Sequence, residues 1–181
     1  MDAAEGQASW IRDALERYER PLVRYALRLT GDVELAQDAV QDTFLRLCRR
    51  TPAELGDHLA PWLFRVCRNR ALDLVRKEQH MNRSADGQAT HLTSPAPGPG
   101  ALAEHRDAQS RILVAVTTLP ARQQEVVRLK FQNELSYKEI GEVMGLTVTN
   151  VGFLVHTAIK ALREQLHAGG DAVRPAGRST R

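Results

Sequence analysis

From Leu119 to Leu166 the sequence reads LPARQQEVVRLKFQNELSYKEIGEVMGLTVTNVGFLVHTAIKALREQL, and this stretch decides the fold of the second half of the chain. Its helix-start and helix-stop signals divide it into three helices. Leu119-Pro120 predicts the first helix, because the fixed φ and missing N–H of proline suit the first helical position. Ser136 and Glu139 have the spacing of a capping box, which begins the second helix. Gly145 then supplies the left-handed residue that ends it.

A short turn around Gly145 joins the last two helices, and Thr147 or Thr149 can cap the third. Two short helices joined by a glycine-containing turn of about 3–4 residues are typical of the DNA-binding helix-turn-helix. In that motif the second helix enters the major groove. The alternative interpretation is an ordinary corner of a helical bundle. We favour the helix-turn-helix, since the cap, the turn glycine and the next cap occur together.

Composition is compatible with one domain or two small ones, because 181 residues with 43% hydrophobic content can form packed cores. The net charge of +3 and a pI near 9.1 permit nucleic-acid binding without establishing it. Cys48 and Cys67 are too few for a disulfide framework or a zinc site, so we expect small buried thiols, no metal and no cofactor. The polar N-terminus and the absence of a long apolar run predict a cytoplasmic protein without a membrane segment.

Two segments are poor in large apolar residues and divide the chain. Residues 82–100, NRSADGQATHLTSPAPGPG, should form a flexible linker, and residues 169–181, GGDAVRPAGRSTR, a disordered tail. Residues 1–81 and 101–168 remain, and neither shows the alternation of a strand. The predicted fold is therefore all-α: an N-terminal helical bundle and a C-terminal helix-turn-helix domain, joined by the linker.

The first domain contains apolar stripes at helical spacing, which predict three or four helices. Pro21 is expected to kink or divide the first helix, and Asp32 to cap the second, over residues 33–50. The predicted core faces contain Trp10, Ala14, Leu15, Tyr18, Leu22, Tyr25 and Leu29 in the first helix, and Val33, Ala36, Val40, Phe44 and Leu47 in the second.

The opposite face of the second helix is acidic and carries one leucine. Leu45 lies among Glu34, Asp38, Gln41, Asp42 and Arg49. This pattern is compatible with a solvated face that includes a stray leucine, which is common. It is also the composition of a docking surface for a protein with basic residues. The residues alone favour the solvated face.

A third long helix, predicted over residues 57–80, concentrates positive charge. Trp62 and Phe64 lie near its start. A helix with one apolar and one basic face can be merely solvated, can lie on a membrane surface, or can bind nucleic acid, where aromatic rings stack on bases. One face contains Arg65, Asn69, Asp73, Arg76 and His80, with Arg68, Arg70 and Lys77 beside it.

Three segments together carry a family resemblance: ELAQDAVQDTFLRLCRR at residues 34–50, PWLFRVCRNRALDLVRK at 61–77, and SYKEIGEVMGLTVTNV at 136–151. In this order, on either side of a linker, they resemble a sigma factor of the sigma-70 family. The small two-domain form is similar to the extracytoplasmic-function (ECF) class. The resemblance implies a non-enzymatic factor that binds core RNA polymerase, recognises −10 and −35 promoter elements and initiates transcription of a specific regulon. The alternative is a stand-alone helix-turn-helix transcriptional regulator that does not dock on core polymerase.

The resemblance also assigns roles to the two charged faces. It implies that the acidic helix docks on the β′ clamp helices through Asp38, Gln41, Asp42 and Leu45. It implies that the following helix separates the −10 strands, which requires a base to be taken from its stack. Further expected partners are the β flap, promoter DNA and an anti-sigma factor. The carried-over −10 residues are Arg65 and Asn69 near the flipped base, Trp62 at the melting edge, and Arg76 and Lys77 on phosphate.

The recognition helix departs from the family pattern. It should begin at Val148 or Thr149 and bury Val151, Val155, Ala158 and Leu162. Gly152, Phe153, Leu154 and Thr157 occupy positions where family members commonly have basic residues and serine, so we expect an unusual or weak −35 preference. Alternatively, Phe153 and Leu154 bind a protein. Gly152 weakens the helix by about 1 kcal/mol relative to alanine, which indicates that something approaches it closely. The predicted −35 contacts are Thr149, Asn150, Phe153 and His156 to bases, with Arg128, Lys138 and Lys160 to phosphates.

Overall fold

The computed structural model describes residues 3–85 and 112–171, and within these two stretches the regular secondary structure is entirely helical. The predicted all-α class is confirmed. The chain divides into two compact units, which we describe separately. The N-terminal stretch contains α1 (Ala3–Thr30), α2 (Val33–Leu47), the one-turn α3 (Pro52–Leu55), a 3₁₀ turn (Gly56–His58) and α4 (Leu59–Ala85). The C-terminal stretch contains α5 (residues 112–117), α6 (Ala121–Phe131), α7 (Tyr137–Met144) and α8 (Val148–Asp171).

Helices α1, α2 and α4 pack against one another around an aliphatic core. Tyr25 of α1 and Phe64 of α4 form an edge-to-face ring pair with centroids 5.3 Å apart, an arrangement that aromatic pairs favour. Each helix buries residues three or four positions apart, as the apolar stripes predict. The fully buried residues include Leu22, Ala26, Ala36, Ala39, Leu47, Leu63, Cys67 and Ala71.

Two local signals in this unit have different outcomes. Asp32 caps α2 as predicted, since its carboxylate accepts a hydrogen bond of 2.9 Å from the Leu35 N–H. Pro21 does not divide the first helix, and α1 continues through it from Ala3 to Thr30. A proline inside a helix costs about 3 kcal/mol. The neighbouring Leu22, Tyr25 and Ala26 are buried, and their packing against α2 and α4 outweighs that local cost.

Three residues predicted to be buried are exposed. Leu15 is 38% exposed because it lies about 100° around the helix from the buried Ala14, at the margin of the α1 stripe. Val33 is 55% exposed because it is the first residue of α2, beyond the end of the core. Cys48 is exposed because α2 ends at Leu47, three residues earlier than predicted. Likewise, α4 begins at Leu59 rather than at residue 57, after the 3₁₀ turn.

The helix-start signals of the second unit are observed at atomic detail. The Ser136 N–H donates to Glu139 Oε2 at 2.7 Å, and the Glu139 N–H donates to Ser136 Oγ at 3.3 Å, which completes the predicted capping box. Gly145 has a φ of 68° at the end of α7. Of the two possible caps of α8 the structure uses Thr147, whose hydroxyl accepts from the Asn150 N–H at 3.2 Å. Pro120 precedes α6 by one residue, and its carbonyl accepts from the Gln123 and Gln124 N–H groups.

The turn between α7 and α8 is closed tightly against α7. The Leu146 N–H donates to the Gly141 carbonyl at 2.9 Å, and a Cβ atom at position 141 would lie only 2.7 Å from the Leu146 carbonyl oxygen. Glycine at position 141 therefore lets the turn fold back. Helices α6 and α8 pack together, and the core of this unit includes Val126, Leu129, Ile140, Val151, Val155 and Ala158.

Two predicted domain boundaries, after residues 81 and 168, fall inside described helices. Helix α4 continues to Ala85, into the predicted linker of residues 82–100, and α8 continues to Asp171, into the predicted tail of residues 169–181. The rest of both segments lies outside the described residues. Within the described residues no single helix is long and apolar enough to cross a membrane. Helix α7 and the part of α8 up to His167 reach that length and composition only as a pair, which is bent by 103°.

Candidate nucleic-acid interface

The acidic face of α2 presents a leucine to solvent. Asp38, Gln41 and Leu45 are exposed, Leu45 by 56% of its surface. Spacings of three and four residues place them on one side of the helix, opposite the buried Ala36, Val40 and Leu47. The face thus combines negative charge with an apolar side chain, as a docking surface for a basic partner would. Asp42, the fourth predicted member, is only half-exposed.

Asp42 differs from the others because it connects α2 to α4. Its Oδ2 atom lies 2.9 Å from Arg70 Nε and 3.4 Å from Arg46 Nη2. The Arg70 contact is an ion pair without hydrogen-bond geometry, since Arg70 Nε is buried and donates no hydrogen bond. From the sequence, Arg70 is expected only among the cations beside the basic face of α4. No sequence signal identifies this pair, because it depends on the packing of α2 against α4.

The basic face of α4 is exposed along its length, as predicted. Arg65, Asn69, Asp73, Arg76 and His80 are all exposed, and so is Lys77. Arg76 Nη1 lies 3.2 Å from Asp73 Oδ1, with the two side chains 70% and 62% exposed. An ion pair so exposed contributes little to stability, so Arg76 can exchange Asp73 for a phosphate at low cost.

The two aromatic residues near the start of α4 have different environments. Trp62 is half-buried, so part of its surface is accessible, whereas Phe64 is 1% exposed and belongs to the core through its contact with Tyr25. Of the two rings, therefore, Trp62 can contact a base without unfolding the helix.

Cys67 lies beneath this face and is a structural residue. It is fully buried, and burial raises the pKa of its thiol to about 12, although a hydrogen bond with Thr43 lowers the pKa in part. A thiol with this pKa stays protonated near neutral pH and is a poor nucleophile. Within residues 3–85 and 112–171 no cluster of histidine, cysteine and acidic side chains could hold a metal ion.

Helix α8 presents a mixed stripe to solvent on the side opposite its core. Val151, Val155 and Ala158 are buried as predicted, and Leu162 is half-buried. The exposed stripe follows spacings of four, three and four residues. Phe153 is the most exposed of the large apolar residues described, at 67%, whereas the neighbouring Leu154 is half-buried. The stripe consists of Thr149, Phe153, His156 and Lys160, with Asn150 exposed beside its first residue.

The structure identifies what approaches Gly152. A Cβ atom at this position would lie 3.7 Å from the ring of Tyr137, the first residue of α7. Lys130 Nζ lies 5.6 Å from the centroid of the same ring and donates to the Leu135 carbonyl at 3.2 Å. The close neighbour is thus a side chain of the same unit. Tyr137 is not among the predicted site residues, although its position directly after the Ser136 cap places it at the start of the helix-turn-helix.

The three predicted phosphate contacts of this unit are not equivalent. Lys138 and Lys160 are exposed, at the start of α7 and in the fourth turn of α8. Arg128 is half-buried, and its Nη2 atom donates to Gln124 Oε1 at 2.9 Å. The Arg128 side chain is therefore held along the surface of α6 by Gln124 of the same helix. A phosphate would have to bind Arg128 in this position.

Comparison with known proteins agrees with both halves of this description. Residues 14–81 match the family Sigma-70 region 2, and residues 109–162 match Sigma-70, region 4. The ECF RNA polymerase sigma factor SigL of Mycobacterium tuberculosis is 33% identical over 175 residues, which cover 93% of this chain and 95% of SigL. SigW of Bacillus subtilis, also an ECF RNA polymerase sigma factor, is 26% identical over 171 residues, covering 90% of this chain and 91% of SigW.

Solved structures show the same fold. The sigma factor RpoE from Bartonella quintana, in complex with the anti-sigma factor NepR, is 25% identical with a TM-score of 0.66 and covers 86% of this chain and 96% of RpoE. CnrH, in complex with the cytosolic domain of CnrY, is 22% identical with a TM-score of 0.56 and covers 92% of this chain and 93% of CnrH. The chain therefore belongs to the sigma-70 family, as an ECF RNA polymerase sigma factor.

Proposed function

We propose that this sigma factor divides its work among three exposed helix faces. The acidic face of α2 binds core RNA polymerase, the basic face of α4 binds the −10 element and opens it, and the stripe of α8 contacts the −35 element. The observation that carries the proposal is that both sigma regions match in one chain, while the three faces are exposed on their helices. The factor itself catalyses no reaction, and it acts in the cytoplasm, where it directs the polymerase.

Docking through α2 follows from its chemistry. Burying Leu45, now 56% exposed, would supply an apolar anchor, and Asp38 and Gln41 would pair with basic and polar groups around it. An interface with an apolar centre and a polar rim has this composition. We assign the β′ clamp helices as the partner of this face and the β flap as the partner of the second unit.

Strand opening by α4 requires groups that compensate for an unstacked base, which costs a few kcal/mol. Asn69 offers a donor and an acceptor to a base edge, and Arg65 lies one turn before it on the same exposed face. The accessible part of Trp62 would stack at the end of the duplex. Arg76 and Lys77, two turns further along, would bind backbone phosphate.

An anti-sigma factor is a further proposed partner. The structural relatives RpoE and CnrH were solved in complexes, RpoE with the anti-sigma factor NepR and CnrH with the cytosolic domain of CnrY. An exposed Leu45 next to carboxylates is a surface that such a partner could cover in competition with the polymerase.

The test of docking is run-off transcription by core RNA polymerase with the full chain. We expect transcripts with the parent chain, and loss of both polymerase binding and transcription with Asp38→Arg combined with Leu45→Ala. Val33→Ala is the matched control, because Val33 is an equally exposed apolar residue of the same helix outside the acidic face. If DNA binding occurs but core polymerase neither binds nor transcribes, the chain is a stand-alone helix-turn-helix regulator.

The test of strand opening uses permanganate, which modifies unpaired thymines. Arg65→Ala and Asn69→Ala should still form the polymerase complex but should reduce thymine reactivity near the transcription start. Gln79→Ala, an exposed residue of α4 outside the proposed contacts, should leave reactivity unchanged. Equal reactivity in all three variants would mean that this face is only solvated.

A further inference from the structure

The Thr157 hydroxyl, next to the centre of the α8 stripe, and the Thr147 hydroxyl, before the start of α8, both form hydrogen bonds within the protein. The Thr157 hydroxyl donates to the Phe153 carbonyl at 2.8 Å, and the Thr147 hydroxyl caps the helix through the Asn150 N–H. Gly152 has no side chain, and the Tyr137 ring lies against it. What the middle of the stripe presents to a major groove is therefore the ring of Phe153.

The chemistry along the stripe changes in a definite order. Thr149 and Asn150 come first and can make hydrogen bonds to base edges. Phe153 lies one turn later, His156 follows with a second hydrogen-bonding group, and Lys160 then adds a positive charge. Beyond Lys160 the exposed side of α8 continues through Arg163, Glu164 and His167. In the major groove the base edges present hydrogen-bonding atoms and one apolar group, the C5 methyl of thymine. An exposed ring between two polar positions is complementary to a methyl group between hydrogen-bonding base edges.

We infer that Phe153 is the specificity-determining residue of this helix and that it reads the C5 methyl of one thymine in the −35 element. The inference rests on the proposed function, since it requires α8 to enter the groove. Lys160 and Arg163 follow Phe153 on the exposed side of α8, with one acidic residue, Glu164, beside them, and Lys138 is exposed at the start of α7. Cations thus outnumber carboxylates on this side of α8, so the surroundings of the ring favour a polyanion. We therefore assign the ring to DNA and not to a protein partner.

Removal of a single methyl from the DNA tests this inference. The full chain is combined with core RNA polymerase and used to select templates from a pool randomised over the −35 region. Each thymine of the selected −35 element is then replaced by deoxyuridine, which lacks only the C5 methyl. One replacement should reduce transcription at limiting holoenzyme about fourfold, the effect of losing one buried methyl group.

Two variants assign that loss to the ring. Holoenzyme with Phe153→Ala should transcribe the thymine and deoxyuridine templates equally, because the ring that contacts the methyl is absent. Phe153→Leu retains apolar contact and should keep part of the difference. Phe131→Ala is the matched control, since Phe131 is 58% exposed at the end of α6, and it should keep the whole deoxyuridine effect.

Each result is decisive. If the parent holoenzyme transcribes but no deoxyuridine replacement matters, or if Phe153→Ala keeps the same difference, the inference is wrong and the proposed function stands. If Phe153→Ala transcribes every template as the parent does but loses the binding of a protein partner, the ring serves a protein and the inference is also wrong. If no template of the pool is transcribed, the proposed function itself fails, and the inference fails with it.

Discussion

Replacement of two glycines of the helix-turn-helix, Gly141 and Gly152, by alanine should change the stability of the chain in opposite directions. Gly141→Ala should destabilise the chain by about 1–3 kcal/mol, because the new Cβ would meet the Leu146 backbone oxygen at 2.7 Å. Gly152→Ala should stabilise it by about 0.5–1 kcal/mol, since alanine is the better helix former and its Cβ would make ordinary contact with Tyr137 at 3.7 Å. Urea unfolding of the two variants measures both effects. A loss of stability in Gly152→Ala would show that the Tyr137 ring has no room for the methyl group.

The buried thiol gives a second prediction at this scale. Burial raises the pKa of Cys67 from 9.0 to about 12, so the folded state holds this proton more tightly than the unfolded chain does. The resulting stability is complete below pH 9 and is lost as the pH rises from 9 to 12. The urea midpoint should therefore fall more steeply over this range in the parent than in Cys67→Ala.

At pH 8 a thiol reagent should label the exposed Cys48 first, and Cys67 only after unfolding. Equal labelling rates of the two cysteines would contradict the buried position of Cys67.

At the scale of elements, the pairing of α2 with α4 is the feature that joins two proposed functions. Arg70 of α4, the proposed DNA-opening helix, contacts Asp42 of α2, the proposed docking helix. Asp42 is therefore less available to a polymerase than Asp38, Gln41 or Leu45. Substitution of Asp42 alters the contact between the helices as well as the docking face. The effect of an Asp42 variant on polymerase binding should therefore be compared with the effect of an Arg70 variant, which alters only the contact between the helices.

A double-mutant cycle measures this coupling. Asp42→Asn removes one charge at nearly constant size, and Arg70→Gln removes one charge with a shorter polar side chain. Because the side chains are 33% and 36% exposed, solvent screens the pair, and we expect a coupling free energy of about 0.5–1 kcal/mol that decreases with added salt. The pair formed by Arg76 and Asp73 is the exposed reference and should show less coupling. A coupling of zero at low salt would mean that the contact does not hold α2 to α4.

At the scale of the whole molecule, DNA affinity should be dominated by charge. With a glycine and a phenylalanine in the middle of the recognition helix, most of the affinity for the −35 region should come from phosphate contacts. Lys160→Ala should weaken binding of the holoenzyme about equally for all −35 sequences and reduce the slope of log affinity against log salt by about 1. Arg20→Ala, an exposed residue of α1, should leave the slope unchanged. Selective loss for one −35 sequence in Lys160→Ala would instead indicate that Lys160 reads a base.

The sequence by itself determined the features that depend on neighbours within about one helical turn. The capping box of Ser136 and Glu139, the cap at Asp32, the left-handed Gly145 and the exposed face that includes Arg65 and Asn69 were all predictable, because caps and helical faces depend on residues three or four positions apart. Together with the three family segments, they also sufficed to identify the sigma fold.

Only the tertiary structure decided the remainder. Pro21 lies within one continuous α1, because the packing free energy around Leu22 outweighs the cost of a proline inside a helix. Leu15 lies outside the core, although the apolar stripe of α1 includes it. The partner of Asp42 and the neighbour of Gly152 are Arg70 and Tyr137, from other helices. The physical reason is common to all of them: these contacts form between helices, and helical periodicity specifies which face is apolar but not which residue of another helix will lie against it.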